Sequence, residues 1–222
     1  MPTTIAQPPQ STMEPAAIER LSFAIIDAET PEPRPFTGHH WEVARRLVHT
    51  SADFELLSLL RFHPLAVTAG LEALRSGATI VTDTRMAQMG IPLRRLDALG
   101  ATSVCLMNDP AVMARAKEQG VTRARVAMDM AANITGPVIF AIGNAPTALL
   151  RLLELLDAGQ AAPALIVGMP VGFVNAAESK ETLMAQDRVP YVAIAGRKGG
   201  SALAAATVNA LAEIVLREKA GG

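Results

Sequence analysis

Short apolar stretches and helical patterns alternate along most of the chain, from Ala78 to its carboxyl end. Five of the stretches are rich in Val, Ile and Ala and too short for helices, so they predict strands buried on both faces of a parallel sheet. The predicted strands are Ala78–Thr82, Thr102–Met107, Pro137–Ile142, Ala164–Gly168 and Tyr191–Ala195. Strands that alternate with helices in this way are typical of an open α/β sheet.

Helical periodicity fills the segments between the strands and most of the region before them. The predicted helices are Glu14–Glu29, His40–Thr50, Pro64–Arg75, Pro110–Gln119, Thr122–Ala132, Pro146–Asp157, Asn175–Gln186 and Ser201–Lys219. The expected fold class is α/β: a doubly wound, mainly parallel, five-stranded sheet with helices on both faces and an N-terminal helical portion. Residues 14–222 are predicted to form a single domain, and residues 1–13, rich in Pro, Thr, Ser and Gln, a disordered leader.

The last three strands each lead into a glycine-rich loop and then into a helix. These units are Pro137–Leu156, Pro163–Leu183 and Pro190–Leu211. Loops that follow parallel strands meet at the carboxyl edge of the sheet, so the three loops are expected to outline a ligand cradle. Free backbone N–H groups and positive helix-dipole ends at that edge would suit an anion, and several of them would suit a polyanion.

Composition and charge narrow the possible partners. The formal net charge of −1 gives no reason to expect nucleic acid or an anionic membrane surface as a partner. Residues 130–150 and 158–177 are uncharged and nearly long enough to span a bilayer, but Gly and Pro at mid-length indicate buried strands with their loops. The start of the chain has neither the basic nor the apolar region of a signal peptide, so a cytoplasmic protein is expected.

Sequence motifs argue against a bound metal and against several common catalytic classes. Cys105 is the only cysteine, which excludes a disulfide or a Cys-based zinc site within one chain, and no HExxH spacing occurs. The GRKGGS loop lacks the spacing of a phosphate-binding P-loop, and no G-x-S-x-G nucleophile motif is present. A protein-bound metal is therefore not expected, whereas a bound nucleotide stays open.

His49 is the candidate reactive residue, because an imidazole exchanges protons near neutral pH. Asp53 follows four residues later and would reach one ring nitrogen if the helix continued. A structural histidine that caps or packs the helix end fits the same pattern. Arg197 and Lys198 lie among glycines at a strand end, a setting in which backbone and side chains can approach a carboxylate together. The segment Glu178–Lys180 fits either a ligand contact or an exposed first helical turn.

Five blocks of sequence together resemble the precorrin-8X methylmutase family, also called precorrin isomerase. The blocks are AIGNAPTALLRLLELL, GMPVGFVNAAESKE, PYVAIAGRKGGSALAAATVNAL, VHTSADFE and GATIVTDTRMAQMGI. The resemblance runs from about Pro15 to Leu211 and implies a step of cobalamin biosynthesis, in which a methyl group moves from C11 to C12 of a corrin-type macrocycle. The product would be hydrogenobyrinic acid, or cobyrinic acid when cobalt is present. HTSADFE and VTDT look more like the cobalt-precorrin-8 branch, whereas Arg85 departs from it.

The resemblance also implies roles for individual residues. His49 would be the catalytic proton donor and acceptor, no cofactor would be needed, and the protein would be a homodimer with the corrinoid site near the interface. The expected substrate-binding residues are Ser22, Thr50, Asp53, Thr82, Asp83, Thr84, Arg123, Asn144, Ser179, Lys180, Arg197 and Lys198. Two alternatives use the same loops without catalysis: a nucleotide- or phosphosugar-binding module, and a corrinoid carrier.

Overall fold

The structure is a computed structural model and describes residues 14–221. The leader predicted at residues 1–13 lies outside the described residues. The strands of one six-stranded sheet are β1 (Leu60–Phe62), β2 (Thr79–Thr82), β3 (Thr102–Val104), β4 (Val138–Ile142), β5 (Leu165–Gly168) and β6 (Tyr191–Ile194). Their spatial order is β1-β6-β5-β4-β2-β3. Five strands run parallel and β1 is antiparallel to β6, so the mainly parallel α/β sheet is confirmed.

The predicted number of five strands is one too few, because β1 gives almost no signal in the sequence. It has three residues, of which Leu60 is buried, Arg61 exposed and Phe62 half-buried. Within residues 14–221 the strand pairs only with β6, at the edge of the sheet, where Leu60 lies opposite Ile194. A run this short, with an arginine at its centre, cannot be told from a loop by periodicity.

The helices alternate with the strands as predicted and begin or end within about two residues of the predicted positions. They are α1 (Pro15–Glu29), α2 (Gly38–Ser51), α3 (Leu56–Leu59), α4 (Ala66–Arg75), α5 (Arg85–Met89), α6 (Leu93–Leu99), α7 (Pro110–Gln119), α8 (Arg123–Ala131), α9 (Pro146–Asp157), α10 (Ala176–Met184) and α11 (Ser201–Gly221). The sequence did not predict α3, α5 and α6, each at most seven residues long.

Two apolar cores lie on opposite faces of the sheet. Alternate strand residues supply them: Ile139 faces one core and Phe140 the other. The first core contains α2, α4 and α11, and the second contains α7, α8, α9 and α10. Helices on both faces confirm the doubly wound arrangement. Within residues 14–221 no helix is long and apolar enough to cross a bilayer, and the two uncharged segments contain β4 and β5.

Helices α2 and α11 lie side by side in opposite directions. Arg217 near the end of α11 binds Glu42 near the start of α2, with Nη1 2.6 Å from Oε2. Arg46, one turn further along α2, binds Glu213 of α11. Helix α2 therefore runs towards the end of the molecule where α11 begins, which is also where β6 ends. This direction brings His49 towards the carboxyl edge of the sheet, about 150 residues away from Gly200 in sequence.

Candidate active site at the carboxyl edge of the sheet

The loops that follow β2, β4, β5 and β6 contact one another, and we call them the loop cluster. A Cβ atom added at Gly143 would lie 2.7 Å from the Cα atom of Ser201, and one added at Gly199 would overlap the carbonyl oxygen of Met169. The N–H of Gly200 donates to that same carbonyl at 2.9 Å. The expected meeting of the three glycine-rich loops is confirmed. Both glycines let one loop approach another loop, a role separate from contact with a ligand.

Asp83 joins the loop after β2 to the loop after β4. Its Oδ1 accepts the N–H of Gly143 at 2.9 Å, and its Oδ2 accepts the N–H groups of Asn144 at 2.7 Å and Ala145 at 2.6 Å. The side chain is fully buried, and this burial raises the pKa of Asp83 while the three N–H bonds oppose the rise. The expectation of free N–H donors for a ligand is wrong at this loop, because Asp83 occupies them.

Lys180 connects α10 to the loop after β6 from inside the protein. Its Nζ donates to the carbonyl oxygen of Lys198 at 2.6 Å, and the side chain is completely buried. Burial lowers the pKa of Lys180 to about 8. Ser179 is also buried, and its hydroxyl donates to the carbonyl of Ala176 at 3.2 Å. An exposed first turn is therefore excluded for Ser179 and Lys180, whereas Glu178 is exposed.

The loop after α2 is attached to the loop cluster through Lys198. The ammonium group of Lys198 binds the carboxylates of Asp53, at 2.5 Å, and Glu55, at 2.7 Å. This pairing lowers the pKa of Asp53 and raises the pKa of Lys198. The other oxygen of Asp53 accepts the N–H of Glu55 at 2.9 Å.

The expected contact between Asp53 and His49 is wrong, because the helix does not continue that far. Helix α2 ends at Ser51, and Ala52 adopts a left-handed conformation with φ 52° and ψ 30°. This turn directs the chain away from the helix axis, so the Asp53 carboxylate reaches Lys198. A sequence offset of four places two side chains on one face only within a continuous helix.

The last turn of α2 and the part of α1 that faces it form what we call the histidine corner. The half-buried imidazole of His49 packs against the ring of Phe23, with centroids 5.2 Å apart and an interplanar angle of 61°. Within residues 14–221, neither ring nitrogen of His49 has a hydrogen-bonding partner. Both ring nitrogens are thus left without a partner from the described residues.

Two predicted binding residues are exposed cations without a carboxylate partner in residues 14–221. Arg123 begins α8 and its Nη1 lies 3.4 Å from the carbonyl oxygen of Met107. Arg197 lies in the loop after β6, with its guanidinium carbon 5.4 Å from the ring centroid of the exposed Phe173. Lys180 and Lys198, by contrast, bind groups of the protein itself.

The remaining predicted residues are divided between the edge and the interior. Ser22 precedes Phe23 on α1, and Thr50 follows His49; their hydroxyls donate to backbone carbonyls one turn earlier, at 2.9 Å and 2.8 Å. Thr82 is buried, with its hydroxyl 3.4 Å from the carbonyl of Val104.

Thr84 lies at the N-terminus of α5, where its Oγ1 accepts the N–H of Ala87 at 3.0 Å and lies 2.8 Å from Oγ of Ser201. Asn144 has an exposed side chain, although its backbone N–H is bound to Asp83. The cluster thus brings Thr82, Asp83, Thr84 and Asn144 together at one edge, where Thr82 and Asp83 are buried, Thr84 is half-buried and Asn144 is exposed.

Reasoning from the sequence missed Phe23, because its contact with His49 joins two different helices. Helical spacing did offer one signal. Arg45 and Arg46 precede His49 by four and three residues, which places both on the side of α2 that carries the histidine. Among residues 14–221, no group of three or more His, Cys, Asp or Glu side chains comes together as candidate metal ligands.

Comparison with known proteins identifies the family. A family model described as precorrin-8X methylmutase matches residues 17–214. A cobalt-precorrin-8 methylmutase of Priestia megaterium is 45% identical over 200 residues, which are 90% of this chain and 88% of that protein. A precorrin-8X methylmutase of Pseudomonas aeruginosa is 48% identical over 198 residues, 88% of this chain and 94% of that protein.

A solved structure of the precorrin-8X methyl mutase from Thermus thermophilus has the same fold. It matches with a TM-score of 0.85 at 44% identity, and the match covers 91% of this chain and 97% of that chain. The sequence blocks, the sheet, the similar sequences and the solved structure all indicate the same family. The chain belongs to the precorrin-8X methylmutase family.

Proposed function

We propose that this protein moves a methyl group from C11 to C12 of precorrin-8X or cobalt-precorrin-8, with His49 as the group that transfers a proton. Membership of the family makes the chain an isomerase of cobalamin biosynthesis. The observation that supports the role of His49 is its position. It lies in the last turn of α2, just before the loop that Lys198 attaches to the loop cluster, and its ring nitrogens have no partner among residues 14–221.

The reaction is an isomerisation, so the macrocycle neither gains nor loses atoms overall. The C11–methyl bond breaks, a C12–methyl bond forms, and substrate and product contain the same atoms. Any proton that His49 donates to the macrocycle must therefore be returned before the next turnover. An imidazole can do both near neutral pH. A positioned acid–base group of this kind is typically worth about 10²–10⁴-fold in rate.

The substrate's acetate and propionate carboxylates need cations at the site. Arg123 and Arg197 fit this role, because both are exposed and pair with no carboxylate within residues 14–221. Hydrogen bonds to charged groups contribute about 1.5–3 kcal/mol each. In this proposal the buried residues Asp83 and Lys180 hold the loops, and the exposed arginines bind the carboxylates.

The experiment that tests this function compares His49→Ala with the unchanged protein. Isomerisation is followed by the change in the visible spectrum after mixing with precorrin-8X or, separately, with its cobalt form. We expect His49→Ala to lose about 10²–10⁴-fold in turnover and to keep most of its affinity for the corrinoid. His39→Ala is the matched control, since His39 lies at the opposite end of the same helix beside Glu42.

Each other outcome contradicts a defined part of the proposal. Tight corrinoid binding without conversion by the unchanged protein would identify a carrier, and turnover by His49→Ala near the normal rate would remove His49 from the chemistry. The same two incubations also show whether the substrate contains cobalt. Relatives of both names are similarly close, at 45% and 48% identity, so identity alone does not select one form.

We also propose that the protein is a homodimer. Three large apolar side chains on α5 and α6 are exposed: Met86 at 73%, Met89 at 74% and Leu93 at 70%. Exposed apolar side chains on two neighbouring short helices favour a protein partner, and a second copy would supply one. Sedimentation at micromolar concentration tests this, and a monomer there would contradict it. The cytoplasmic location stays a prediction.

A further inference from the structure

The His49 ring packs against a side chain of helix α1. Phe23 contacts the imidazole at a centroid distance of 5.2 Å, in an edge-to-face arrangement. No side chain or backbone group within residues 14–221 forms a hydrogen bond with either ring nitrogen. An imidazole on a helix surface can rotate about its side-chain bonds unless neighbours restrict it. The phenyl ring of Phe23 is the aromatic neighbour that does so here.

Phe23 is itself held by two arginines of α2. The guanidinium carbons of Arg45 and Arg46 lie 4.5 Å and 4.7 Å from its ring centroid. These distances are within the range of cation–π attraction. Arg45 and Arg46 come one helical turn before His49, so the same helix that carries the histidine also holds the ring that packs against it.

Three carboxylates, from helices α1 and α11, bind the two arginines in turn. Asp27 of α1 binds Arg45, with Oδ2 2.6 Å from Nη1. Glu19 of α1 binds Arg46 at 2.6 Å, and Glu213 of α11 binds the same guanidinium. This pairing lowers the pKa of Glu19. Each arginine is thus held on one side by a carboxylate and on the other by the phenyl ring.

We propose that Phe23 is a positioning residue for His49. It holds the imidazole in one orientation at the carboxyl edge while leaving both ring nitrogens open to the macrocycle. This inference rests on the proposed function, because a fixed ring matters only if His49 transfers the proton. A displacement of about 1 Å in a catalytic group can cost on the order of 10²-fold in rate.

The test replaces Phe23 by leucine in the full-length chain and measures kcat and KM on whichever form of precorrin-8 the protein converts. We expect Phe23→Leu to lower kcat by about 10- to 100-fold with KM little changed, because the misplaced ring affects the chemical step. Phe23→Tyr keeps the aromatic contact and should restore most of the turnover.

Phe36→Leu is the matched control for loss of aromatic packing. Phe36 forms a similar edge-to-face pair with Phe62, at 5.1 Å and 72°, and is also partly buried against the same core. It does not touch His49. We expect Phe36→Leu to lose comparable stability and to keep its kcat. Equal losses of kcat in the two leucine variants would overturn the inference.

The ¹⁵N NMR signals of the His49 imidazole give a second readout that stability alone does not move. They report which ring nitrogen carries the proton, and we expect them to change in Phe23→Leu and to stay unchanged in Phe36→Leu. Unchanged signals in Phe23→Leu would also overturn the inference. The proposed roles of His49 and of Phe23 can be contradicted independently of each other. Normal turnover by His49→Ala removes the proposed role of His49, whereas an inactive His49→Ala with a normal Phe23→Leu removes only that of Phe23.

Discussion

The loop cluster and the histidine corner lie at the same edge of the sheet, but they use their polar groups differently. In the loop cluster, Asp83 accepts three backbone N–H bonds and the buried Lys180 binds a carbonyl oxygen of the next loop. In the histidine corner, the nitrogens of His49 have no partner among residues 14–221, and an aromatic ring packs against its side. The polar groups of the loop cluster are bonded to one another, whereas the imidazole of the histidine corner is left unbonded by the described residues.

The residues that identify the family therefore lie in a different region from the residue proposed to transfer the proton. The glycine-rich loops are the most recognisable part of the sequence, yet Gly143 and Gly199 lie where neighbouring loops touch each other. The Asp83 carboxylate and the Lys180 ammonium group are both buried and bound to neighbouring loops, so neither is exposed at the edge of the sheet. The loops therefore set the shape of the site, and the proposed proton transfer takes place at the corner.

The largest effect on stability is expected from Asp83→Asn. An asparagine keeps the shape but has one oxygen, so it leaves backbone N–H groups of the loop after β4 buried without an acceptor. We expect the free energy of unfolding to fall by about 2–5 kcal/mol, measured as a lower midpoint in denaturant at an unchanged slope. Asp109→Asn is the matched control, because Asp109 accepts a single N–H, that of Ala111 at 2.8 Å, at an exposed helix start.

If Asp83→Asn were no more destabilising than Asp109→Asn, the loop cluster would not depend on its internal bonds. The contrast with the histidine corner would then disappear.

The same variant also tests how the contribution of Asp83 to stability depends on pH. Burial raises the pKa of Asp83 despite its three N–H bonds. Its contribution to stability should therefore be largest below its ordinary titration range and decline as the pH rises through the raised pKa.

Much of the fold could be predicted because strand and helix periods are local properties of the sequence. The parallel strands and most long helices were found this way, and the three loops were expected to meet because parallel strands end at one edge. β1 was missed because pairing with β6 defines its three residues, and no pattern within them does. The short helices α3, α5 and α6 were missed for the same reason: none spans two full turns.

The partners of the polar residues could not be predicted from the sequence. Asp83 binds N–H groups 60 to 62 residues away, and Lys198 binds a carboxylate 145 residues away. Such pairs depend on which loops the topology brings together. Asp53 was assigned to His49 on helical spacing, but the left-handed turn at Ala52 ends the helix first. Alanine does not favour that conformation, so the sequence contained no sign of the turn.

A smaller effect, dependent on pH, is expected from Lys180→Met. The pKa of Lys180 is lowered from 10.5 to about 8 by burial. Below this value the lysine is charged in the folded and unfolded states alike. As the pH rises from there towards 10.5, the folded protein loses the proton first, so the unfolded state binds more protons and the free energy of unfolding increases.

The methionine variant lacks this dependence, which makes the comparison quantitative. Relative to Lys180→Met, the free energy of unfolding of the unchanged protein should increase by about 2 kcal/mol between about pH 7.5 and about pH 9.5. Unfolding in denaturant at both pH values measures the gain. Lys117→Met, at an exposed position of α7, should show no such dependence. A constant difference for Lys180→Met would mean that water reaches this ammonium group, contrary to its place inside the loop cluster.

The smallest effect is expected in the histidine corner, at the turn that directs Asp53 towards Lys198. Ala52 has φ 52°, a conformation that costs most residues about 1–2 kcal/mol and glycine almost nothing. Part of the relief is offset by the greater freedom of glycine in the unfolded chain. We therefore expect Ala52→Gly to raise the free energy of unfolding by about 0.5–1 kcal/mol, with normal turnover because Lys198 still binds Asp53.

Ala158→Gly is the control for this prediction. Ala158 also ends a helix, but its φ is −80°, so glycine relieves no strain there and the variant should be less stable than the unchanged protein. Equal destabilisation of both variants would show that the turn after His49 is unstrained, and the corner would then resemble the relaxed, internally bonded loops across the site.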